Sequence, residues 1–174
     1  RTRRKMKRFL YILAVISFIL QGQFVHAQND LCTGALSLAC NSQTSSFTFG
    51  ATADVAPVCD GVTDSAAPGV WYTFTGNGGI QTVELCASAY DTRLRVYEGT
   101  CGALVCVAGG DDECALQSSV AFFSTLGTTY YALIHGAGGA QGVFTVKLLC
   151  QPPPPPTTFC YTQQTVPYTP DPYS

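Results

Sequence analysis

Asp91-Thr92-Arg93-Leu94-Arg95-Val96-Tyr97-Glu98-Gly99 leads into Thr100-Cys101-Gly102-Ala103-Leu104-Val105-Cys106, and then into Gly109-Gly110-Asp111-Asp112-Glu113-Cys114. Leu94 and Val96 alternate with Arg93, Arg95 and Tyr97, the period of two that marks a half-buried strand. Residues 98–102 supply turn chemistry, and Leu104-Val105-Cys106-Val107 is a short apolar run suited to a returning strand. Gly109-Gly110 is expected to turn the backbone before three consecutive acids. A Cys101–Cys106 disulfide would staple this hairpin, provided the two side chains face one another.

Three adjacent carboxylates repel one another, and a hard cation with oxygen ligands relieves that repulsion. Asp91 joins Asp111 and Asp112 if the hairpin brings its two ends together, which makes these three the candidate Ca²⁺ ligands. The spacing is not that of an EF-hand loop. The alternative is a solvated acidic loop.

Working outward, the same strand-and-turn rhythm covers the middle of the chain. Phe47-Thr48-Phe49 is expected as a short strand, and residues 52–68, punctuated by Pro57, Gly61 and Pro68, as a loop kept polar by Asp54, Asp60 and Asp64. Gly69-Val70-Trp71-Tyr72-Thr73-Phe74-Thr75 is the strongest strand, and residues 80–86 alternate again. Residues 119–123, 129–135 and 142–148 are three further strands, separated by glycine turns. Beyond the N-terminal leader no stretch reads as a helix. About eight short strands predict an all-β fold: an antiparallel β-sandwich or jelly roll, stapled by disulfides.

The N-terminus explains the compartment. Six of the nine basic residues lie within residues 1–8, ahead of the apolar run 9–20 and a small-residue site at Val25-His26-Ala27. That is a secretory signal peptide spanning 1–27, with residues 1–5 upstream read-through before Met6. The apolar run is too short for a membrane span, which takes about 20 residues. The mature chain from Gln28 keeps Arg93, Arg95 and Lys147 against eleven acids, a net charge of −8. Such a surface repels nucleic acid and anionic membranes.

An exported chain with nine cysteines uses them as disulfides. Cys32, Cys40, Cys59, Cys86, Cys101, Cys106, Cys114 and Cys150 form an even set within the expected module at 28–150, and Cys160 is left over. Their pairing is not deducible from spacing. Zinc is disfavoured, because the cysteines make no Cys-x-x-Cys pair and the mature chain has one histidine. Five consecutive prolines, 152–156, make residues 151–158 a stiff linker, with a proline run of about 15 Å at ~3.1 Å per residue. Residues 159–174 are expected to be a polar tail or the start of a further domain of a longer protein.

Taken in order, Asn29-Asp30-Leu31-Cys32, Pro68-Gly69-Val70-Trp71-Tyr72-Thr73-Phe74, Asp91-Thr92 with Val96-Tyr97, Cys101-Gly102-Ala103-Leu104-Val105-Cys106-Val107-Ala108, Gly110-Asp111-Asp112, and Thr128-Thr129-Tyr130-Tyr131 with His135-Gly136 resemble one recurring secreted bacterial module, similar to pre-peptidase C-terminal domains. The likeness spans about residues 29–150. It implies a jelly-roll sandwich serving as an accessory or binding module beside other domains. It also favours Ca²⁺ at Asp91, Asp111 and Asp112.

For catalysis, His135 would have to serve as base to Ser118, Ser119 or Ser124, and no Gly-x-Ser-x-Gly elbow is present. His135 is expected instead as a strand-end or surface residue, and Trp71 as a core or half-buried one. Tyr90 and Tyr97 flank the acidic hairpin and are the candidate ligand-binding surface aromatics. The sequence therefore predicts a non-enzymatic, secreted, cell-surface module. Its expected role is adhesion or binding of an extracellular glycan or protein ligand, with further domains of the same chain as neighbours. The alternatives are a structural spacer and an accessory domain of a secreted hydrolase.

Overall fold

A computed structural model describes residues 27–62, 67–153 and 155. The expected signal peptide up to residue 26, Asp64, part of the linker, Cys160 and the expected tail lie outside these residues. Among the described residues no helix is long and apolar enough to cross a membrane.

The described residues form nine strands: β1 (Leu36–Ser37), β2 (Ser42–Phe47), β3 (Gly69–Thr75), β4 (Ile80–Glu84), β5 (Thr92–Thr100), β6 (Ala103–Gly110), β7 (Ser119–Phe123), β8 (Thr129–Gly136) and β9 (Val143–Cys150). One sheet has the order β1-β3-β8-β5-β6, and the other β2-β9-β4-β7. Every pairing is antiparallel except β1 with β3. The result is a two-sheet, disulfide-bonded β-sandwich.

Alternation builds the core. Val70, Tyr72 and Phe74 of β3, Leu94 and Val96 of β5, and Tyr130, Ala132 and Ile134 of β8 face Val83, Val120, Phe122, Phe144, Val146 and Leu148 of the other sheet, all buried in one cluster. Phe74, Phe122 and Tyr130 form its aromatic centre, with ring centroids 5.0–6.2 Å apart. Such contacts add to simple area burial.

Alternation fails on the opposite face of the five-stranded sheet. Trp71 and Arg95 both pair with Leu133 across the ladders. These three residues, with Tyr97 and His135, should point to water, yet all are buried. Residues 53–62 cover them: Ala53 bridges Pro68, and Ala56 and Cys59 pack with Trp71, Tyr97 and Leu133 in a second cluster. The expected polar loop is therefore a lid, with Asp54 turned inward to the Trp71 indole N–H.

Three local expectations are corrected. The strand expected at Phe47-Thr48-Phe49 lies earlier, at Ser42–Phe47, where β2 pairs residue for residue with β9. Gly109 and Gly110 do not turn the chain but belong to β6. A Cβ on Gly109 would lie 2.5 Å from the Cys59 carbonyl oxygen, so close approach of the covering segment, not a turn, demands glycine there.

The Cys101–Cys106 staple is also overturned: Cys32 bonds Cys101, Cys40 bonds Cys150, Cys59 bonds Cys106, and Cys86 bonds Cys114. Cys101 lies past the Thr100–Ala103 pair at the turn, whereas Cys106 lies opposite Tyr97, three rows up the ladder. Three rows span about 10 Å at ~3.3 Å per residue, beyond the ~7 Å that a disulfide can bridge between Cα atoms.

Candidate functional site

The acidic corner follows from the β5–β6 hairpin. Asp91 immediately precedes β5 and Asp111-Asp112 immediately follow β6, so antiparallel pairing returns the chain to where it began. Asp91, Asp111 and Asp112 each place one carboxylate oxygen within 4.8 Å of the others. The loop after β6 is pinned from two sides. Cys114 is bonded to Cys86 beyond the end of β4. Glu113 accepts the Ser119 backbone N–H at 3.1 Å. That bond explains why the third acid of the run stands outside the cluster.

Each member of the corner differs. Asp91 is half-buried, and its Oδ1 is shut off from water without a hydrogen-bond partner. Burial, reinforced by the charges of Asp112 and Asp111, pushes its carboxyl above the usual range, while Arg93 opposes that shift. Asp111 is held by Arg93 at both oxygens, Nε to Oδ1 at 3.1 Å and Nη2 to Oδ2 at 2.9 Å. Asp112 is exposed. The donor set is all oxygen, which suits a hard cation such as Ca²⁺. The buried, unpartnered Asp91 oxygen fits such an ion, because it is a polar atom whose desolvation nothing else compensates.

The two candidate ligand-binding tyrosines are not on open surface. Tyr97 is fully buried, and its hydroxyl donates to the Pro57 carbonyl at 2.6 Å beneath the covering segment. That corrects the surface placement expected for it: the covering segment closes over the face on which alternation puts it. Tyr90 is half-buried, its ring against Gly142 and its hydroxyl accepting from Thr48 Oγ1 at 3.4 Å. Burial pushes both phenols above their usual range.

His135 is likewise buried at the end of β8 rather than at the surface. Its Nε2 accepts from Arg95 Nε at 3.1 Å, and its Nδ1 lies 3.3 Å from the Gly136 carbonyl. Ser118 Oγ donates to the Thr92 carbonyl at 2.6 Å, and Ser124 Oγ lies 3.0 Å from both the Gly79 carbonyl and Asn77 Oδ1. These hydroxyls brace turns. The polar layer of half-buried Asp54 and buried Trp71, Arg95 and His135 is what sequence reasoning missed. No local signal marks it, since Arg95 occupies a position that alternation assigns to solvent.

No family model matches the chain, and no curated protein matches it. Among solved structures, it is similar to the pre-peptidase C-terminal domain of collagenase from Bacillus anthracis, at 13% identity and a TM-score of 0.45. The match covers 66% of this chain and 93% of that one. The class of protein defined here, a disulfide-bonded all-β sandwich with an acidic hairpin corner, stands on its own strand pairing.

Proposed function

We propose that this chain is a non-catalytic accessory module of a larger secreted or cell-surface protein, with Asp91, Asp111 and Asp112 holding Ca²⁺. The observation that carries the metal reading is the shielded, unpartnered Asp91 oxygen beside two further carboxylates. Bound there, the ion would tie the two ends of the β5–β6 hairpin together and relieve their mutual repulsion. The non-catalytic reading draws support from His135, whose Nε2 already accepts from a guanidinium, and so is not available as a base to a serine. Four disulfides suit an oxidising, extracellular setting. In this reading the module contributes adhesion to an extracellular glycan or protein.

A structural spacer is the second reading, and one observation favours it. Arg93 grips Asp111 at both oxygens and so neutralises part of the corner without metal.

The test is thermal melting of the oxidised chain from Gln28 onward, in Ca²⁺ and in chelator, beside Asp111→Ala/Asp112→Ala. A ligand that binds only the folded state stabilises it by about 2.7 kcal/mol at a hundredfold excess over Kd. A Ca²⁺-dependent rise in Tm that the double variant loses supports the site. An unchanged Tm at millimolar Ca²⁺ removes it and leaves the spacer.

A further inference from the structure

We propose that the Asn77-Gly78-Gly79 corner is a mount that fixes the direction in which the proline linker leaves the sandwich. Cys150 ends β9, held by its disulfide to Cys40 and by donating its N–H to Asn41 Oδ1 at 3.1 Å. The chain does not become free there. Gln151 N–H donates to the Ile80 carbonyl at 2.8 Å, adding one more rung beside β4. Asn77 Nδ2 then donates to the Gln151 carbonyl at 2.7 Å.

The prolines that follow have no N–H and cannot extend the ladder, so packing takes over. A Cβ on Gly79 would lie 2.4 Å from the Gln151 oxygen and 2.8 Å from the Pro152 carbonyl carbon. The linker backbone therefore lies directly on the Gly79 backbone, an approach only glycine permits. One residue earlier, Leu126 and Pro153 both approach Gly78.

The corner is itself braced. Asn77 Oδ1 accepts the Gly79 N–H at 3.0 Å, and Asn77 N–H donates to the buried Ser124 hydroxyl at 3.2 Å. Proline's restricted φ at Pro152 and Pro153 narrows the directions in which the chain can leave that surface. Sandwich and linker root thus form one body, so the chain leaves the sandwich from a fixed root at residues 151–153 instead of from a hinge at Cys150. This holds whether or not the acidic corner binds Ca²⁺.

The experiment places a nitroxide on Pro155→Cys in the Cys160→Ser background of the oxidised chain from Gln28 onward. Paramagnetic broadening of backbone amides is then mapped by NMR. Broadening is expected to concentrate on residues 76–80 and 123–127. In Asn77→Asp, which keeps the bracing oxygen but replaces the amide donor with a charged acceptor facing the Gln151 carbonyl, it should fall at least twofold at those residues. Gly79→Ala should do the same; if that variant fails to fold, Asn77→Asp decides alone. Broadening spread evenly around the native sandwich, or a pattern unchanged in Asn77→Asp, overturns the proposal.

Discussion

The Trp71 indole N–H donates to Asp54 Oδ1 at 2.7 Å, fastening the covering segment to the outer face of the five-stranded sheet. The second oxygen of Asp54 is buried without a hydrogen-bond partner. The contact satisfies the indole at the expense of a partly desolvated carboxylate.

That expense sets a pH dependence. Burial raises the Asp54 carboxyl from its ordinary 3.8 to about 6, with Trp71 opposing the shift. A folded pKa above the unfolded one means that the folded state binds the proton more tightly. The associated stability is fully present below about pH 4 and is lost as pH rises through about 6. The full shift corresponds to at most about 3 kcal/mol, and partial exposure of Asp54 reduces that to on the order of 1 kcal/mol. Melting curves of the native chain and Asp54→Asn between pH 4 and 7 check this. The native Tm should fall relative to that of the variant across this window, and parallel profiles would refute the assignment.

Tyr97 separates packing from ligand binding. Tyr97→Phe keeps the buried ring and removes the hydroxyl's bonds, to the Pro57 carbonyl and to the Arg95 side chain. The cost should be about 1–2 kcal/mol, the scale of hydrogen bonds lost from a partly buried site. Tyr97→Ala should cost about 3–5 kcal/mol, as loss of a large buried aromatic does. Urea titrations of both variants measure the difference. An alanine variant as stable as the native chain would contradict the burial.

The disulfide pattern is open to direct mapping. Non-reduced peptides from the oxidised protein should show Cys32–Cys101, Cys40–Cys150, Cys59–Cys106 and Cys86–Cys114. Recovery of a Cys101–Cys106 peptide as the main species would refute the hairpin register given above. Replacing Cys59 and Cys106 together with serine should cost about 2–4 kcal/mol, with loss of the covering segment seen as faster amide exchange at residues 53–62.

Two glycines make a paired test of close packing. A Cβ on Gly136 would lie 2.0 Å from the Ala140 carbonyl oxygen, whereas one on Gly102 meets nothing within 4 Å. Gly136→Ala should destabilise by at least 1–3 kcal/mol, about the usual cost of overpacking. Gly102→Ala should be neutral, or stabilising by about 0.4–1 kcal/mol through the unfolded chain. Equal effects from the two would argue against this corner of the fold.

Much of the architecture was legible in residues alone. Gly69–Thr75 and Ser119–Phe123 form strands at the positions that their β-branched and aromatic content predicts. The convergence of Asp91 with Asp111 and Asp112 was implied by a hairpin whose ends must meet. The two-residue strand β1 was not legible, because Leu36-Ser37 becomes a strand only by lying parallel to Tyr72-Thr73. Nor was the engagement of Asp111 by Arg93, which depends on a β5 side chain and the residue just past the end of β6 pointing the same way.

The sequence by itself determined the strand rhythm, the all-β class, the even set of cysteines and the acidic hairpin, because these rest on local periodicity and composition. Only the tertiary structure decided which cysteines bond, that Tyr97, Arg95 and His135 are buried, and that Asp54 faces inward. The physical reason is that a period of two says the two faces of a strand differ, but not what covers them. The segment that covers this sheet is brought there by a Cys59–Cys106 bond between residues 47 apart in the chain.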